Sequence, residues 1–517
     1  MPSFSKLRLI CLFTIFQVSV KLSAQSHITY GGYFFEDSER LQKIQKALPQ
    51  LDKIIEEYAA KNHFPGTVYG LMVDGKVIHT GNLGFTELSS KTPATSQSGF
   101  RIASMSKSFT SMAILKLRDE GKLKLYDPVY LYIPEMKGQP YPTLDAPVAT
   151  VRHLLTHAAG FPEDNPWGDR HLGDTDKQLT DLIKNKLSFS NDPGIAYEYS
   201  NLGFAMLGLI IKKVSGESYQ SYINKNILQP LGMNNTYWEY TKVPAKQLAH
   251  GYRWLNEAWV EQPLLHDGSW GSMGGLITSI DDFGKYMAFH LSAWPPSDLK
   301  ETGPVRRSSV REMQFPWNFN NINAKYKYPD GKATPLVSAY GYGLRWTKDG
   351  DGRTTVGHSG GLPGFGSNWA ILPDYGVGIM LFANSTYAST SALNTIVLDK
   401  LITLAELKPR QMQPSSILNQ RKNDLVKLLP DWNNAEKSGL FADNFFLDYF
   451  TETLRKEARE IYAKAGKIVK VRELIPENGL RGSFIMEGEK ANIKISFTLT
   501  AENPGLIQEY HIWSAEK

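Results

Sequence analysis

Apolar positions near the start of the chain recur at the spacing of a helix. Over residues 36–62 they are Leu41, Ile44, Leu48, Leu51, Ile54 and Ile55, a pattern that predicts one amphipathic helix. Two runs rich in β-branched and aromatic residues follow at 67–73 and 76–80, and Asp74-Gly75 separates them. An Asp-Gly pair between two such runs is typical of a β-hairpin, because both turn residues tolerate a positive φ.

Helices are predicted in the middle of the chain and strands return later. One helix begins near Ser104 and ends at Gly121, and a second runs over 201–214 to a stop at Gly216. Strands are expected at 342–346, 354–356, 367–372 and 377–382, followed by a helix at 392–404. Strands at both ends with helices between them predict an α+β fold, in which one sheet is built from both ends of the domain around a helical insertion.

The C-terminal region is predicted to be a separate small domain. Residues 406–435 are polar and contain Pro409, Pro414 and Pro430, which is typical of a linker. A helix over 443–465 is then followed by strands over 467–471, 482–486, 493–499 and 506–513. We interpret residues 436–517 as a small α+β domain, whose helix and curved sheet resemble a cystatin-like or nuclear-transport-factor-like cone.

The N-terminus has the pattern of an export signal. Lys6 and Arg8 precede an apolar run over 9–20, and Leu22-Ser23-Ala24 offers a small-residue cleavage site. We therefore expect 1–24 to be removed and the product to be exported, in the periplasm, with its main domain over 25–405. An uncleaved anchor or a buried helix is the alternative interpretation of this run.

Composition narrows the classes of function. The 517 residues are 42% hydrophobic and 21% charged with a net charge of +5, so nothing favours a nucleic-acid partner. The one cysteine, Cys11, lies inside the predicted signal, so the mature chain is expected to lack disulfides and cysteine chemistry. No later apolar stretch is long enough for a membrane span, and we predict no metal and no cofactor.

The candidate chemistry begins with Ser104 and Lys107. A lysine three residues after a serine at the start of a helix lies on the same helical face, and a neutral amine there can take the hydroxyl proton. The spacing alone is weak evidence, because it also occurs at Ser3/Lys6, Ser297/Lys300 and Ser514/Lys517.

Two later motifs supply further candidates. In Tyr199-Ser200-Asn201, a nearby lysine would favour ionisation of Tyr199 and make it a candidate base, and Asn201 could hold Lys107 or a substrate amide. A half-buried loop tyrosine is the alternative, and Tyr222-Ile223-Asn224 has the same spacing.

The other motif is the glycine-rich run 357–364, after the strand residues 354–356. Glycines let a strand edge approach a ligand closely, and the Gly361 N–H could join the Ser104 N–H as an oxyanion hole. His358, which precedes Gly360 and Gly361, could contact a substrate carboxylate or leaving group. A strand-end histidine bonded to backbone is the alternative.

In this order and spacing, these motifs resemble the serine β-lactamase and penicillin-binding-protein superfamily. The nearest branch is the class C β-lactamase-like one, which includes D-Ala-D-Ala carboxypeptidases, D-aminopeptidases and esterases. The resemblance covers roughly residues 40–400 and rests on the runs 100–107, 151–160, 193–201, 230–233, 274–276, 342–344 and 358–361.

The resemblance implies a β-lactamase/transpeptidase-like fold with an antiparallel sheet, and an acyl-enzyme on Ser104. Lys107 would be the proton partner of that serine, Tyr199 the base that also activates the deacylating water, and Asn201 the residue that orients Lys107 and substrate. The family usually has Lys-Thr-Gly where this chain has His358-Ser359-Gly360. Histidine is mostly neutral at pH 7, so we expect an esterase or peptidase acting on a small molecule or peptide, rather than an efficient β-lactamase.

Other interpretations stay open at this point. The chain could be a catalytically idle penicillin-binding or peptidoglycan-sensing module. Residues 357–361 also fit Gly-x-Ser-x-Gly, with Ser359 as an α/β-hydrolase nucleophile, but that motif needs a helix directly after the serine and 362–366 cannot start one. His153 and His157 have the spacing of a helical zinc pair, without the glutamate of a metalloprotease. Substrate and oligomeric state are not predicted.

Overall fold

The computed structural model describes residues 32–328 and 331–516, which form two compact units. One unit comprises 35–410, and the other combines 32–34 with 411–516. The predicted signal, 1–24, lies outside the described residues. Among the described residues, no helix has the length and apolar character needed to cross a membrane, and no acidic, histidine or cysteine side chains cluster as a metal site.

The larger unit is built on an antiparallel sheet of nine strands within the described residues. In sheet order it runs β4-β5-β6-β7-β8-β9-β1-β2-β3. The strands are β1 Gly66–Val73, β2 Lys76–Glu87, β3 Thr92–Pro93, β4 Asn318–Lys327, β5 Ala333–Tyr340, β6 Arg345–Asp349, β7 Thr354–Leu362, β8 Phe365–Leu372 and β9 Val377–Ala383. The early strand β1 pairs with the late strand β9, Thr67 opposite Ala383. This confirms the α+β fold with a sheet drawn from both ends of the unit.

Helices cover both faces of this sheet. The longer ones are α1 Arg40–Lys61, α2 Ser106–Asp119, α3 Asn201–Ser215, α4 Ile280–Ser292 and α5 Thr390–Leu404. Shorter ones are Val151–Leu155, Asp176–Lys184, Tyr219–Ile223, Gly271–Gly274 and Arg307–Met313. Short strands Phe100–Arg101, Thr236–Tyr237 and Ile277–Thr278 pair together, as do Tyr252–Leu255 and Ala258–Glu261.

Strand β1 shows why the sheet has two covered faces. All eight of its residues are buried, which is typical of a central strand with layers on both sides. Tyr69 and Leu71 belong to the apolar cluster that contains residues of α1 and α5. Val68 and Met72 belong to the cluster that contains residues of α2, α3 and α4, so successive side chains serve opposite layers.

Helix α2 lies inside the helical layer although many of its residues are polar. Ser106, Ser108 and Thr110 are fully buried, and each hydroxyl donates to a backbone carbonyl, those of Ala103, Met105 and Ser272 at 2.7, 2.9 and 2.6 Å. Buried hydroxyls need such partners. The helix is therefore buried on more than one side, and its polar side chains at these positions have hydrogen-bond partners.

The second unit contains the predicted helix and strands and also most of the predicted linker. Its elements are α6 Ser416–Leu428, a short helix Phe445–Asp448, α7 Thr451–Ala465, β10 Ile468–Val471, β11 Arg481–Gly488, β12 Asn492–Leu499 and β13 Ile507–Ala515. The four strands pair antiparallel in chain order, and Ile475–Pro476 also pairs with β11. Tyr33–Phe34 pairs with Gln411–Met412.

The linker prediction for 406–435 is corrected by helix α6. Leu418, Leu425 and Trp432 lie in the apolar core of the second unit. The prolines of the segment bracket the helix instead of breaking it, since Pro414 comes just before the N-cap Ser415 and Pro430 comes after the last helical residue.

The core position of α6 can be tested with two substitutions on the same helix. Leu418→Ala is expected to lower the free energy of unfolding of the second unit by about 2–5 kcal/mol, because it leaves a cavity. Lys427→Ala, at an exposed position, should change it by less than about 0.5 kcal/mol. Urea unfolding of the full chain, followed by circular dichroism, measures both. Equal and small effects would restore the linker interpretation.

Candidate active site

Ser104 lies in a tight turn directly before α2. The turn, Ala103–Met105, is a single 3₁₀ turn, and Ala103 has a φ of 47°, in the left-handed region that is costly for alanine. Ile102 fixes the turn from before, because its N–H donates to Leu276 O and its carbonyl accepts from the Ser367 hydroxyl. Ser104 is 7% exposed, so it is sheltered but not sealed from solvent.

Lys107 lies one turn later and points back at Ser104. Its Nζ is 2.9 Å from Ser104 Oγ, 2.6 Å from Asn201 Oδ1 and 2.9 Å from the carbonyl oxygen of Met273. The side chain has no exposed surface. Burial lowers the pKa of Lys107 to about 7, although the nearby carboxylates of Asp169 and Asp164 act in the opposite direction. A substantial fraction of the amine is therefore neutral at neutral pH.

Tyr199 lies between the lysine and an arginine. Its ring centroid is 4.9 Å from Lys107 Nζ and 5.6 Å from the guanidinium carbon of Arg345, and the phenol interacts with the Ser104 side chain. Burial nevertheless raises the pKa of Tyr199 above its ordinary value and outweighs Arg345 and Ser104. The direction of this shift is opposite to the ease of ionisation expected from the nearby lysine.

Asn201 is held at the first turn of α3 by residues that the motif did not include. Asp164 accepts the backbone N–H groups of Asn201 and Leu202 at 2.7 and 2.8 Å, and a carboxylate is favourable at a helix N-terminus. The Asn201 amide donates to Asn165 Oδ1 at 2.7 Å. That contact turns the amide oxygen of Asn201 towards Lys107.

Asp169 is a second acidic residue that sequence reasoning missed. It is 2% exposed and accepts the Tyr387 hydroxyl at 3.0 Å. Burial raises its pKa to about 6, and Lys107 opposes the shift. A single acid such as Asp164 or Asp169 has no motif that singles it out in the sequence.

His358 is buried beside the site and is neutral. It is 1% exposed, its Nδ1 lies 2.5 Å from the carbonyl of Ser359, and its Nε2 lies 2.8 Å from the Tyr340 hydroxyl. The carbonyl can only accept, so Nδ1 carries the proton and Nε2 accepts from the phenol. Burial and the charges of Arg345 and Lys107 hold the pKa of His358 well below its usual range. The structure therefore shows a histidine bonded to the backbone, as in the alternative interpretation, but it lies inside β7 and not at the strand end.

Gly360 and Gly361 bring strand β7 against the Ser104 turn. A Cβ on Gly360 would lie 2.1 Å from the Ile102 carbonyl oxygen, and one on Gly361 would lie 2.7 Å from the Tyr387 ring. Strand β6 pairs with β7 only as far as Gly357. Within the described residues, the 358–362 end of β7 therefore has a ladder partner only on the β8 side, and its other edge is open next to the turn.

The structure contradicts two alternative interpretations, the Ser359 nucleophile elbow and the zinc pair of His153 and His157. Ser359 lies inside β7, in register with Asn368 of β8, so it is not at a strand-to-helix elbow. The helix that carries His153 ends at Leu155, so His157 does not share its face. His157 Nδ1 accepts the Ser200 N–H at 3.0 Å, and His153 Nδ1 accepts the Thr150 N–H. Both are structural histidines.

A buried serine–lysine pair with a tyrosine and an asparagine, on a sheet built from both chain ends, defines a serine acyl-transfer site. The Beta-lactamase family matches residues 51–402, and the chain belongs to this family. Protein flp from Staphylococcus aureus strain N315 is 30% identical over 382 residues, which are 72% of this chain and 70% of that protein. Penicillin-binding protein 4* from Bacillus subtilis strain 168 is 31% identical over 229 residues, 43% of this chain and 49% of that protein.

Solved structures confirm the β-lactamase/transpeptidase-like fold. The octameric penicillin-binding protein homologue from Pyrococcus abyssi has a TM-score of 0.57 at 24% identity, over 90% of this chain and 99% of that one. A class C beta-lactamase has a TM-score of 0.54 at 22% identity, over 68% of this chain and 96% of that one. The family match over residues 51–402 confirms the predicted superfamily, whose members are of the serine acyl-transferase and hydrolase type.

The close approach at Gly360 makes a sharp test of this geometry. Gly360→Ala is expected to push β7 away from the Ser104 turn and to lower kcat/KM for an activated ester roughly 100-fold, since small misplacements of reacting groups are costly. Gly203→Ala is the matched control, because a Cβ there meets its nearest atom at an ordinary 3.7 Å. Unchanged activity in Gly360→Ala would show that β7 does not position the site.

Proposed function

We propose that this protein is an exported serine hydrolase that cleaves ester or amide bonds through an acyl-enzyme on Ser104. The observation that supports this best is the 2.9 Å contact between Lys107 Nζ and Ser104 Oγ, made by a lysine whose pKa is lowered to about 7. A neutral amine at that distance can activate the hydroxyl. The export part of the proposal rests on the N-terminal pattern alone.

Acylation starts from neutral Lys107. The amine takes the Ser104 proton as Oγ forms a bond to the substrate carbonyl carbon, and the carbonyl electrons move onto oxygen. The N–H groups of Ser104 and Gly361 are the proposed donors to that oxyanion. When the tetrahedral intermediate collapses, the bond to the leaving group breaks and the proton passes from Lys107 through the Tyr199 phenol to the departing oxygen or nitrogen.

Deacylation uses the same groups in reverse. Water gives up a proton towards Tyr199 and Lys107 as its oxygen attacks the acyl carbon of the ester on Ser104. The C–Oγ bond then breaks, Oγ regains a proton, and a carboxylic acid leaves. Because the pKa of Tyr199 is raised by burial, we assign this tyrosine to proton transfer along the path rather than to a standing phenolate.

His358 bears on the substrate class. A neutral, fully bonded imidazole cannot supply the permanent cation that lysine offers at this position in the family's usual motif. This supports an esterase or peptidase over an efficient β-lactamase. The alternative of an idle penicillin-binding module has no contact in its favour, since the described geometry keeps Ser104, Lys107 and Asn201 in direct contact.

The nucleophile can be identified by covalent labelling. We expect a fluorophosphonate to add one adduct to the full chain by intact mass spectrometry, and Ser104→Ala to lose both the adduct and at least about 1,000-fold of p-nitrophenyl acetate hydrolysis. Ser359→Ala is the matched control and should keep both. An unlabelled wild-type protein would favour the idle module, and full activity in Ser104→Ala would exclude the proposal.

The pH dependence of acylation follows from the lysine. Because the reaction needs neutral Lys107, log kcat/KM for p-nitrophenyl acetate should rise with pH, bend at about 7 and stay level above it. Below the bend the ammonium form accumulates and cannot accept the serine proton. A rate that is level between about pH 5.5 and 8.5 would contradict a base of this kind.

The variant Asp169→Asn tests whether the bend in the pH profile of kcat/KM belongs to Lys107. The Asp169 carboxylate raises the pKa of the lysine, so its removal should move the bend to lower pH while the plateau remains. Glu163→Gln is the control, at an exposed acidic position on the same loop, and should leave the bend in place.

A further inference from the structure

A large cavity lies beside the site, and none of the residues that line it belongs to the sequence motifs. It has a volume of about 830 Å³, and its wall includes Phe64, Trp167, Arg170, Arg253, Trp254 and Tyr387. We name it the arginine pocket after its two charged residues. Its size is within the range of cavities that bind drug-sized molecules.

The pocket shares a wall with the catalytic site. The Tyr387 ring lies against Gly361, where a Cβ would be 2.7 Å from it, and the Tyr387 hydroxyl donates to Asp169. The loop that supplies Trp167 and Arg170 is the one that holds Asn201 through its preceding residues Asp164 and Asn165. The pocket therefore adjoins the site at Gly361 and Tyr387, and a substrate with its carbonyl at Ser104 would reach it by extending in that direction.

The charged side chains in the pocket wall are both positive. Its wall, within the described residues, contains two arginines and no carboxylate. Arg253 Nε is buried, and among the described residues it has no hydrogen-bond partner. A buried N–H group without an acceptor is unfavourable, and arginine pairs most strongly with planar oxyanions. Asp169 interacts with Arg170 and accepts a hydrogen bond from Tyr387, but it is not part of the pocket wall.

The aromatic part of the wall is held in place by its own neighbours. Trp254 stacks on His63 with ring centroids 4.2 Å apart and also contacts Trp259 at 4.9 Å. Trp167 meets Trp270 edge-on at 5.4 Å. Such fixed rings suit a flat or apolar body between the reacting carbonyl and a charged end.

We propose that the arginine pocket binds a carboxylate on the substrate, so that the preferred substrates are acyl compounds with a negatively charged group beyond an apolar or aromatic spacer. This inference rests on the proposed hydrolase function of Ser104. Arg170 and Arg253 are its specificity-determining residues, and they act on binding and orientation rather than on the bond that is cleaved.

Two matched pairs of esters test the proposal. They also show whether the pocket binds a carboxylate on the acyl side or on the leaving-group side of the ester bond that is cleaved. Mono(4-nitrophenyl) glutarate and 4-nitrophenyl butyrate differ by a carboxylate on the acyl side. 4-Acetoxybenzoate and phenyl acetate differ by one on the leaving group. In the double variant Arg170→Gln/Arg253→Gln, the ratio of kcat/KM for the anionic to the neutral ester should fall about tenfold or more in one pair, as expected for loss of charged hydrogen bonds.

The controls separate charge recognition from folding. Arg306→Gln, at an exposed arginine outside the pocket wall, should leave both ratios unchanged. Arg170→Gln alone changes an exposed side chain and should produce part of the effect even if Arg253→Gln proves unstable. Unchanged ratios in Arg170→Gln and in the double variant would overturn the proposal.

A binding measurement distinguishes failure of the pocket from failure of the proposed hydrolysis. Calorimetry of the full chain with Ser104→Ala should detect mono(4-nitrophenyl) glutarate or 4-acetoxybenzoate, and the arginine substitutions should weaken that binding about tenfold. If the wild type hydrolyses none of the four esters, the hydrolase proposal fails. The titration alone then tests whether the arginine pocket binds a carboxylate. Undetectable binding of both anionic esters, or equal affinity with and without the two arginines, would overturn the proposal that the arginine pocket binds a carboxylate.

Discussion

The burial of one amino group, that of Lys107, is the constraint on which the rest of the site depends. Removing a lysine from water costs several kcal/mol unless its nitrogen is hydrogen-bonded, and here the partners come from three separate elements. The serine hydroxyl comes from the turn before α2, an amide from the start of α3, and a carbonyl from the short helix Gly271–Gly274. The helical layer must therefore pack in one arrangement for the amine to be accommodated at all.

Local geometry explains what could be predicted from the sequence. Ser104 and Lys107 are one helical turn apart, and Asn201 follows the N-cap Ser200, so the helical spacing and the cap made these positions predictable. The shared sheet was predictable because strand-like runs occur at both ends of the domain and helical runs lie between them. Where proline was taken to mark a linker, at 414 and 430, it marks the two ends of a core helix.

Burial explains what could not be predicted. The direction of the pKa shift of Tyr199 depends on how completely the ring is enclosed, and spacing does not reveal this. His358 raised the same difficulty, since only the position of Tyr340 shows that both ring nitrogens are occupied. Asp164 and Asp169 lie far from the motifs along the chain, and a lone acid in a loop resembles any other until the fold shows that it is buried.

These two acids explain why the lysine titrates near neutral pH. Burial and Arg345 lower the pKa of Lys107, while Asp169 and Asp164 raise it, and the balance lies at about 7. Without the carboxylates the pKa of the amine would be lower, and with stronger pairing the amine would stay charged and accept no proton. A base works best when its pKa is close to the working pH. The loop 164–169 thus sets the reactivity of Lys107 while it also forms part of the wall against which Tyr387 is held.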